Sequence, residues 1–136
     1  MVKIGQFLIL CASILLGGCG NTDYSGQSAV PGGPTSVLRH IVLFKYKEGT
    51  TPNEEKTIED AFRALKEKIE VIHSFECGKN ESPENLNQDF THCFQLTFLS
   101  NADRDEYLPH TAHKEFGSIL QPHVDKVLVV DYWTKQ

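Results

Sequence analysis

The sequence predicts one α+β domain with the element order β-α-β-β-α-β, in which a four-stranded sheet carries helices on one face. Three observations predict this class. Short runs rich in β-branched and aromatic residues recur at 37–46, 71–78, 90–99 and 127–133. One helical pattern separates the first two runs, and a second separates the last two. This order is that of the ferredoxin-like split βαβ arrangement.

The first strand and the first helix have clear sequence signals. Residues 37–46 are mostly apolar or aromatic, which is typical of a strand. Thr51, Pro52 and Glu54 supply a capping residue, a proline at the first helical position and an acid that completes a capping box. Apolar residues then recur at helical spacing, at Ile58, Ala61, Phe62, Leu65 and Ile69. A helix is therefore predicted soon after the first strand.

The middle of the chain predicts two strands joined by a loop. The second strand covers 71–78 and the third covers 90–99. The segment 79–89 between them is rich in Asn, Ser, Pro and Glu, which favours a loop. We therefore expect these two strands to pair as a hairpin.

The second helical region is predicted to be interrupted. Asn101 is a suitable cap for a helix that starts near Ala102. Pro109 breaks the pattern, which then resumes through Phe116. The apolar run 127–133 follows and is predicted to be the fourth strand.

The first and fourth strands are apolar on both faces. Ile41 and Leu43 point opposite to Val42 and Phe44, and 127–130 shows no polar alternation. A sheet with helices on one side should be polar on the other side unless something covers it. For a domain of about one hundred residues, the simplest cover is a second copy. We therefore expect a two-fold homodimer whose sheets pack together.

The charge of the chain argues against a nucleic-acid partner. The 136 residues carry a formal net charge of −5. Binding to DNA or RNA would require a basic stripe or patch, and the sequence has no such feature. We expect no nucleic acid among the partners.

The first residues resemble an export signal rather than part of the fold. Lys3 precedes an apolar run over 4–16, which is short for a membrane span but fits a signal peptide. Leu-Gly-Gly before Cys19 resembles the end of a bacterial lipoprotein signal, where the cysteine is lipidated. We expect 1–18 to be removed and Cys19 to anchor an exported protein to a membrane of the bacterial cell envelope. An ordinary signal peptide with an incidental cysteine is the alternative.

Residues 19–36 join the predicted lipid to the domain. They are mostly Gly, Ser, Pro, Asn and Thr and contain few apolar side chains, so we expect a flexible tether. The folded domain is expected to occupy 37–136.

Cys77 and Cys93 are the cysteines that remain in the domain. They flank the 79–89 loop almost symmetrically, so a hairpin would make them approximate cross-strand partners. An exported compartment permits a disulfide, although adjacent strands demand an unusually close approach of the β-carbons. A disulfide between Cys77 and Cys93 and a pair of small buried thiols are both compatible with the sequence.

The segment 107–113 holds the candidate catalytic residues. It places Tyr107, His110 and His113 within seven residues, and imidazole and phenol groups suit proton transfer. In one interpretation His113 is a general base and Tyr107 donates to an oxyanion. In the other, His113 is satisfied by a backbone carbonyl and Tyr107 packs in the core. No carboxylate has ligand-like spacing to these histidines, so we expect no metal site.

Four segments resemble the stress-responsive A/B barrel (Dabb) domain family. They are 40–45 (His-Ile-Val-Leu-Phe-Lys), 89–98, 107–113 and 129–132 (Val-Val-Asp-Tyr). The similarity covers 38–132, with the motifs in similar order and spacing. It implies a dimeric α+β barrel, which agrees with the homodimer expected from the two-faced strands.

The resemblance also implies roles for particular residues. One plant member of the family is a polyketide cyclase that closes a linear chain by an acid–base aldol step without a cofactor. Its catalytic histidine and tyrosine match His113 and Tyr107. Its other pocket positions match His40, His92, His110 and Phe62. The last of these is a tyrosine in that enzyme, so one polar contact is missing here.

The predicted strand order ranks these candidates by position. The first and third strands are antiparallel neighbours, and His40 and His92 lie early in them, so they should sit toward opposite ends of the sheet. We expect His40 to group with Tyr107, His110 and His113, and His92 to be more distant.

Three functions remain open from the sequence. The first is a cofactor-independent enzyme, a cyclase or lyase that uses His113 and Tyr107 on a small apolar or aromatic molecule. The second is a module that binds such a ligand without chemistry, and the third is a structural stress-response domain. A cavity reached by both residues would favour the first two.

Overall fold

The computed structural model describes residues 35–135. The strands of this part are β1 (Ser36–Tyr46), β2 (Ser74–Lys79), β3 (His92–Phe98) and β4 (Val124–Lys135). The helices are α1 (Pro52–Arg63), α2 (Leu65–Lys68), α3 (Asn101–Tyr107) and α4 (Thr111–Leu120). No helix in this part of the chain is both long and apolar enough to cross a membrane. The predicted signal peptide 1–18, Cys19 and nearly all of the tether lie outside the described residues.

The sheet has the predicted ferredoxin-like topology. Its strand order is β2-β3-β1-β4, with every neighbouring pair antiparallel. β1 is therefore central and pairs with β3 on one side and β4 on the other. The helical layer covers one face of this sheet, and the core residues of β1 and β3, including Leu38, Val42, Phe94 and Leu96, point toward it.

Local signals account for the start of α1. The Thr51 hydroxyl accepts from the backbone N–H of Glu54, and the Glu54 carboxylate accepts from the backbone N–H of Thr51 at 2.8 Å. This capping box and Pro52 at the helix start confirm the prediction. The helix buries Ile58 and Phe62 against the sheet. The predicted single helix is divided at its end, where the short α2 follows α1.

The cap of α3 corrects one prediction. Ser100, not Asn101, is the capping residue, and its hydroxyl accepts from the backbone N–H of Asp103 at 3.0 Å. The Asp103 carboxylate accepts from the backbone N–H of Ser100 in return, also at 3.0 Å. The reciprocal pair explains why Ser100 takes the position, since Asn101 is already helical. The break at Pro109 is confirmed, because α3 ends at Tyr107 and α4 begins at Thr111.

The strand boundaries differ from the predictions, by at most two residues in β3 (His92–Phe98 against 90–99) and by more in β2 and β4. β2 starts at Ser74 rather than 71, because Ile72 is fully buried in the core without joining the ladder. β4 runs over Val124–Lys135, beyond the predicted 127–133, because it follows the whole length of β1. Apolar residues therefore indicate which positions are buried, whereas pairing with the neighbouring strand decides where each strand begins and ends.

An aromatic cluster forms the centre of the core. Phe62 stacks on Phe116 with ring centroids 4.4 Å apart, and lies 4.8 Å from the ring of Phe94. Phe44 is 4.8 Å from Phe94 and contacts both Phe62 and Phe116. Such pairs add to the free energy of burial and join α1, α4 and the sheet into one core.

The second face of the sheet is apolar along β1 and β4. The register places Ile41 opposite Val130 and Leu43 opposite Leu128. In the single chain, Leu128 and Val130 are 43% and 47% exposed. An exposed apolar face on a long edge strand favours association with another protein surface.

The register of β2 and β3 rules out the disulfide that the sequence allowed. Cys77 pairs with Phe94, whereas Cys93 pairs with Gly78. Because side chains alternate across a strand, this one-residue offset directs the two thiols to opposite faces. Both cysteines are free: Cys77 packs beside the core, and Cys93 is exposed.

Candidate active site

A cavity of about 200 Å³ lies between the sheet and the helices. Its walls are mainly apolar and come from β1, β4, α1 and α4, including Val42, Phe44, Phe62, Phe116, Leu120 and Val129. Three polar side chains, His40, Tyr107 and His113, also line it. An apolar cavity of about 150 Å³ holds a benzene molecule, so this volume suits a ligand of about one ring.

Tyr107 is the central polar group of the cavity. It is the last residue of α3, its side chain is fully buried, and its ring lies 5.7 Å from that of His40 and 4.3 Å from that of His113. Its hydroxyl has no hydrogen-bond partner among the described residues. Burial raises the pKa of Tyr107, so the phenol stays neutral and can donate a hydrogen bond.

His113 presents one free ring nitrogen. Its Nδ1 lies 2.9 Å from the carbonyl oxygen of Leu108. Because a carbonyl oxygen only accepts, Nδ1 carries the proton, and Nε2 of the neutral ring keeps its lone pair. The contact with the Leu108 carbonyl agrees with the interpretation of His113 as a histidine satisfied by the backbone. The lone pair on Nε2 is equally compatible with the interpretation of His113 as a general base.

His40 is held by an ionic network that the sequence did not reveal. The register pairs it with Asp131 on β4, and its Nδ1 is 2.6 Å from Asp131 Oδ1. Arg104 on α3 donates to Asp131 Oδ2 at 3.1 Å. Burial lowers the pKa of His40, and the bond to Asp131 opposes that effect.

Two predicted pocket residues do not line this cavity. The side chain of His110 caps α4, where its Nδ1 accepts from the backbone N–H of Ala112 at 3.1 Å, so it does not group with Tyr107 and His113. His92 pairs with Phe44, four residues along β1 from His40, and lies toward the other end of the sheet. There its ring contacts Tyr46 at 4.9 Å.

Phe62 does line the cavity, as the resemblance implies for that position. It lies on the buried side of α1 and supplies an apolar wall where a tyrosine would add a hydroxyl. The cavity is therefore less polar at this point than the resemblance alone would suggest.

Sequence reasoning missed Asp131 and Arg104. Asp131 is the single acid within the apolar run 127–133, and a charge in such a run is a signal that it has a partner. Identifying that partner as His40 requires the β1–β4 register, which the residue pattern does not give.

Curated relatives match most of the described chain. A stress-response A/B barrel domain-containing protein of Arabidopsis thaliana, HS1, is 39% identical over 95 residues, covering 70% of this chain and 87% of its own length. Olivetolic acid cyclase of Cannabis sativa is 25% identical over 96 residues, covering 71% of this chain and 95% of the cyclase.

Solved structures share the fold. The hydroxynitrile lyase of Passiflora edulis superposes with a TM-score of 0.70 at 25% identity, covering 76% of this chain and 97% of the lyase. A dimeric ferredoxin-like protein of unknown function from Bacteroides fragilis has a TM-score of 0.58 at 29% identity, covering 71% of this chain and 94% of its own.

The family model described as the stress responsive A/B barrel domain matches residues 38–134, which is nearly all of the described fold. Together with the relative that is 39% identical, this match establishes that the chain belongs to the stress-responsive A/B barrel (Dabb) family.

Proposed function

We propose that the cavity binds a small aromatic or apolar molecule and performs cofactor-free acid–base chemistry on it, of the lyase or cyclase type. One observation carries this proposal: the buried Tyr107 hydroxyl has no protein partner, and Tyr107 lines a cavity that two histidines also line. A buried donor without a partner costs free energy, and a bound oxygen acceptor would satisfy it.

His113 and Tyr107 take complementary roles in this chemistry. Nε2 of His113 accepts a proton from an O–H or an acidic C–H of the ligand. The neutral Tyr107 hydroxyl donates a hydrogen bond to the oxygen on which negative charge develops. His113 then returns its proton to the product or to the leaving group. The phenol is never required to ionise, which fits its raised pKa.

Two relatives support this class of reaction by name. One is a hydroxynitrile lyase and the other is olivetolic acid cyclase. Their names specify two different activities, and the aligned parts are each 25% identical to this chain. The support from these names therefore extends to lyase or cyclase chemistry on a small molecule and leaves the substrate to experiment.

A binding module without chemistry is the second candidate function. The bond from His113 Nδ1 to the Leu108 carbonyl favours it, because the same bond would be present in a purely structural histidine. Such a module would use Tyr107 to hold an oxygen of the ligand and the apolar walls to hold its body.

An aromatic hydroxynitrile, mandelonitrile, separates these functions. Its ring fits the apolar walls, and loss of its hydroxyl proton to His113 would break the carbon–carbon bond, release cyanide and form benzaldehyde. We expect native mass spectrometry to detect a complex, and absorbance to detect benzaldehyde above the uncatalysed rate. His113→Ala should abolish release and preserve the complex, whereas Lys114→Ala, an exposed neighbour on α4, should retain both.

Each result has a consequence for the proposal. A complex without turnover in the wild-type protein supports the binding module. Turnover that survives in His113→Ala contradicts the role of His113 as base. If native mass spectrometry of the protein as purified and with mandelonitrile shows no bound molecule, both small-molecule functions fail and the structural role remains.

We propose further that the protein is a homodimer whose apolar sheet faces pack together. The exposed apolar side chains of β4 support this arrangement, and several similar solved structures are described as dimeric. We expect Val130→Lys on the open face to yield monomers in sedimentation experiments, and Leu86→Lys in the exposed loop to remain dimeric. A monomeric wild-type protein would contradict this arrangement.

Export and lipid anchoring at Cys19 remain a proposal from the sequence of residues 1–18. The support is the apolar run followed by Leu-Gly-Gly and the cysteine. We expect labelled palmitate to be incorporated into the full chain in a bacterial host and to be lost in Cys19→Ala. Incorporation that persists in the variant would contradict the assignment.

A further inference from the structure

His40 and Asp131 form a buried contact that the proposed reaction of His113 and Tyr107 does not use. The side chain of His40 is nearly buried, and its Nδ1 lies 2.6 Å from the Asp131 carboxylate. The remaining ring nitrogen, Nε2, belongs to a ring that lines the cavity. The protein thus engages Nδ1 of His40 and leaves Nε2 for a ligand in the cavity.

Arg104 fixes the orientation of the Asp131 carboxylate. It donates to Asp131 Oδ2, leaving Oδ1 for His40. Arg104 also donates to Asp105 at 2.8 Å, and that carboxylate makes no contact with His40. The Arg104 guanidinium therefore acts as a fixed donor, and it requires an oxygen atom at the position that Asp131 Oδ2 occupies.

We propose that Asp131 and Arg104 are positioning residues that fix His40 in its Nδ1–H tautomer and so present Nε2 to the cavity as a second proton acceptor. This inference rests on the proposed function and refines its ligand class. The ligand carries a hydroxyl group that donates to His40, in addition to the oxygen that accepts from Tyr107. The hydroxyl proton moves to Nε2 of His40, and the imidazolium that forms is paired with Asp131.

The groups that face His40 fit this role. Asp131 stabilises its protonated form, whereas Arg104 and His113 oppose it and burial favours the neutral ring. Tyr107 packs edge-on against it, with ring centroids 5.7 Å apart. His113 differs, because a neutral carbonyl holds its Nδ1 and stabilises a cation less than a carboxylate does.

Asp131→Asn provides a directional test of the tautomer. Arg104 only donates, so it should retain the amide oxygen of the asparagine. The amide NH₂ would then face Nδ1 of His40, which can accept only if its proton moves to Nε2. This substitution should therefore move the ring proton of His40 from Nδ1 to Nε2. The nitrogen that faces the cavity, Nε2, then changes from an acceptor into a donor.

Nitrogen-15 NMR of the histidine side chains in the full chain measures this exchange directly. We expect the Nδ1–H form of His40 at pH 8 in the wild type, the Nε2–H form in Asp131→Asn, and the wild-type form in the matched control Asp105→Asn. Removing the fixed donor in Asp131→Asn with Arg104→Leu should restore Nδ1–H, because the amide can then turn its oxygen toward His40. This double variant separates tautomer control from misfolding.

Binding of phenol and anisole tests the consequence for the ligand. Phenol donates a hydrogen bond and anisole does not, so the wild type should prefer phenol. Asp131→Asn should lower that preference about tenfold, the effect of one hydrogen bond. Asp105→Asn should leave it unchanged.

The two measurements fail independently. Three results of the NMR measurement would overturn the positioning role, whichever ligand binds. They are an Nε2–H form of His40 in the wild type, an unchanged tautomer in Asp131→Asn, and a change of tautomer in Asp105→Asn equal to that in Asp131→Asn. An unchanged preference for phenol in Asp131→Asn overturns the acceptor role of His40. If the wild type binds neither probe, the ligand class inferred for His40 is overturned, while mandelonitrile still decides the proposed function and the tautomer still decides the positioning role.

Discussion

Tyr107→Phe should make the unliganded protein more stable and less functional. The phenol is fully buried, and its hydroxyl lacks a partner in the described structure. Leaving such a group unsatisfied costs about 1–3 kcal/mol. Replacing the hydroxyl with hydrogen removes that cost and keeps the ring contacts with His40 and His113.

The expected gain is about 1 kcal/mol in the free energy of unfolding. For a domain of about one hundred residues this corresponds to a rise in Tm of roughly 5 °C. Turnover or binding of a ligand that uses the hydroxyl should fall by about tenfold or more, since one hydrogen bond is lost. The opposite signs of the two effects are the signature of a donor kept for a ligand.

Tyr46→Phe is the matched control. Its hydroxyl is also buried without a partner, but Tyr46 does not line the cavity. Urea and thermal unfolding should show a gain for both variants, and a change in ligand affinity only for Tyr107→Phe. If Tyr107→Phe unfolds more easily than the wild type, the hydroxyl is already satisfied in the free protein and is not kept for a ligand.

Three further variations test separate parts of the structure. Thr51→Ala removes the α1 cap and should cost about 1 kcal/mol in urea unfolding, and an unchanged midpoint would contradict its role. Burial lowers the pKa of His40 and His92 from 6.5, so the unfolded chain binds more protons below that value. Urea midpoints should be level above about pH 7 and fall as the pH drops through 6.5, with a smaller fall in His92→Gln. Gly117→Ala should stabilise α4 by roughly 0.5–1 kcal/mol in thermal unfolding, because glycine weakens a helix interior relative to alanine and the added methyl group meets no atom within 4 Å beyond the adjoining backbone of its own helix.

Local sequence signals predicted the elements well, because their causes are local. The α1 cap depends only on Thr51 and the residues just after it, and Pro109 breaks a helix wherever it stands. The cap of α3 was misplaced by one residue because Ser100 and Asn101 are both good caps. The acid three positions after Ser100 decides between them.

Long-range register was the limit of sequence prediction. Cys77 and Cys93 looked like partners by their distance from the loop, but an offset of one residue sends their side chains to opposite faces. The same uncertainty concealed Asp131, whose importance depends on its pairing with His40 across β1 and β4. The prediction that His110 groups with Tyr107 and His113 was wrong for a different reason. Its side chain accepts a hydrogen bond from the backbone N–H of Ala112 and so caps its own helix.

Burial of polar groups does not by itself mark the site in this fold. Tyr46 and His92, at the other end of the sheet, also bury polar atoms without partners, and burial also lowers the pKa of His92. The groove beside His92 is lined by charged side chains, including Glu55 and Lys79, which form a salt bridge at 2.9 Å and already satisfy each other. Around Tyr107 the walls are mainly apolar, and neither of the histidines beside it, His40 and His113, makes a hydrogen bond to its hydroxyl. Apolar walls around unsatisfied polar atoms are therefore what separates the candidate active site from an ordinary polar end of the sheet.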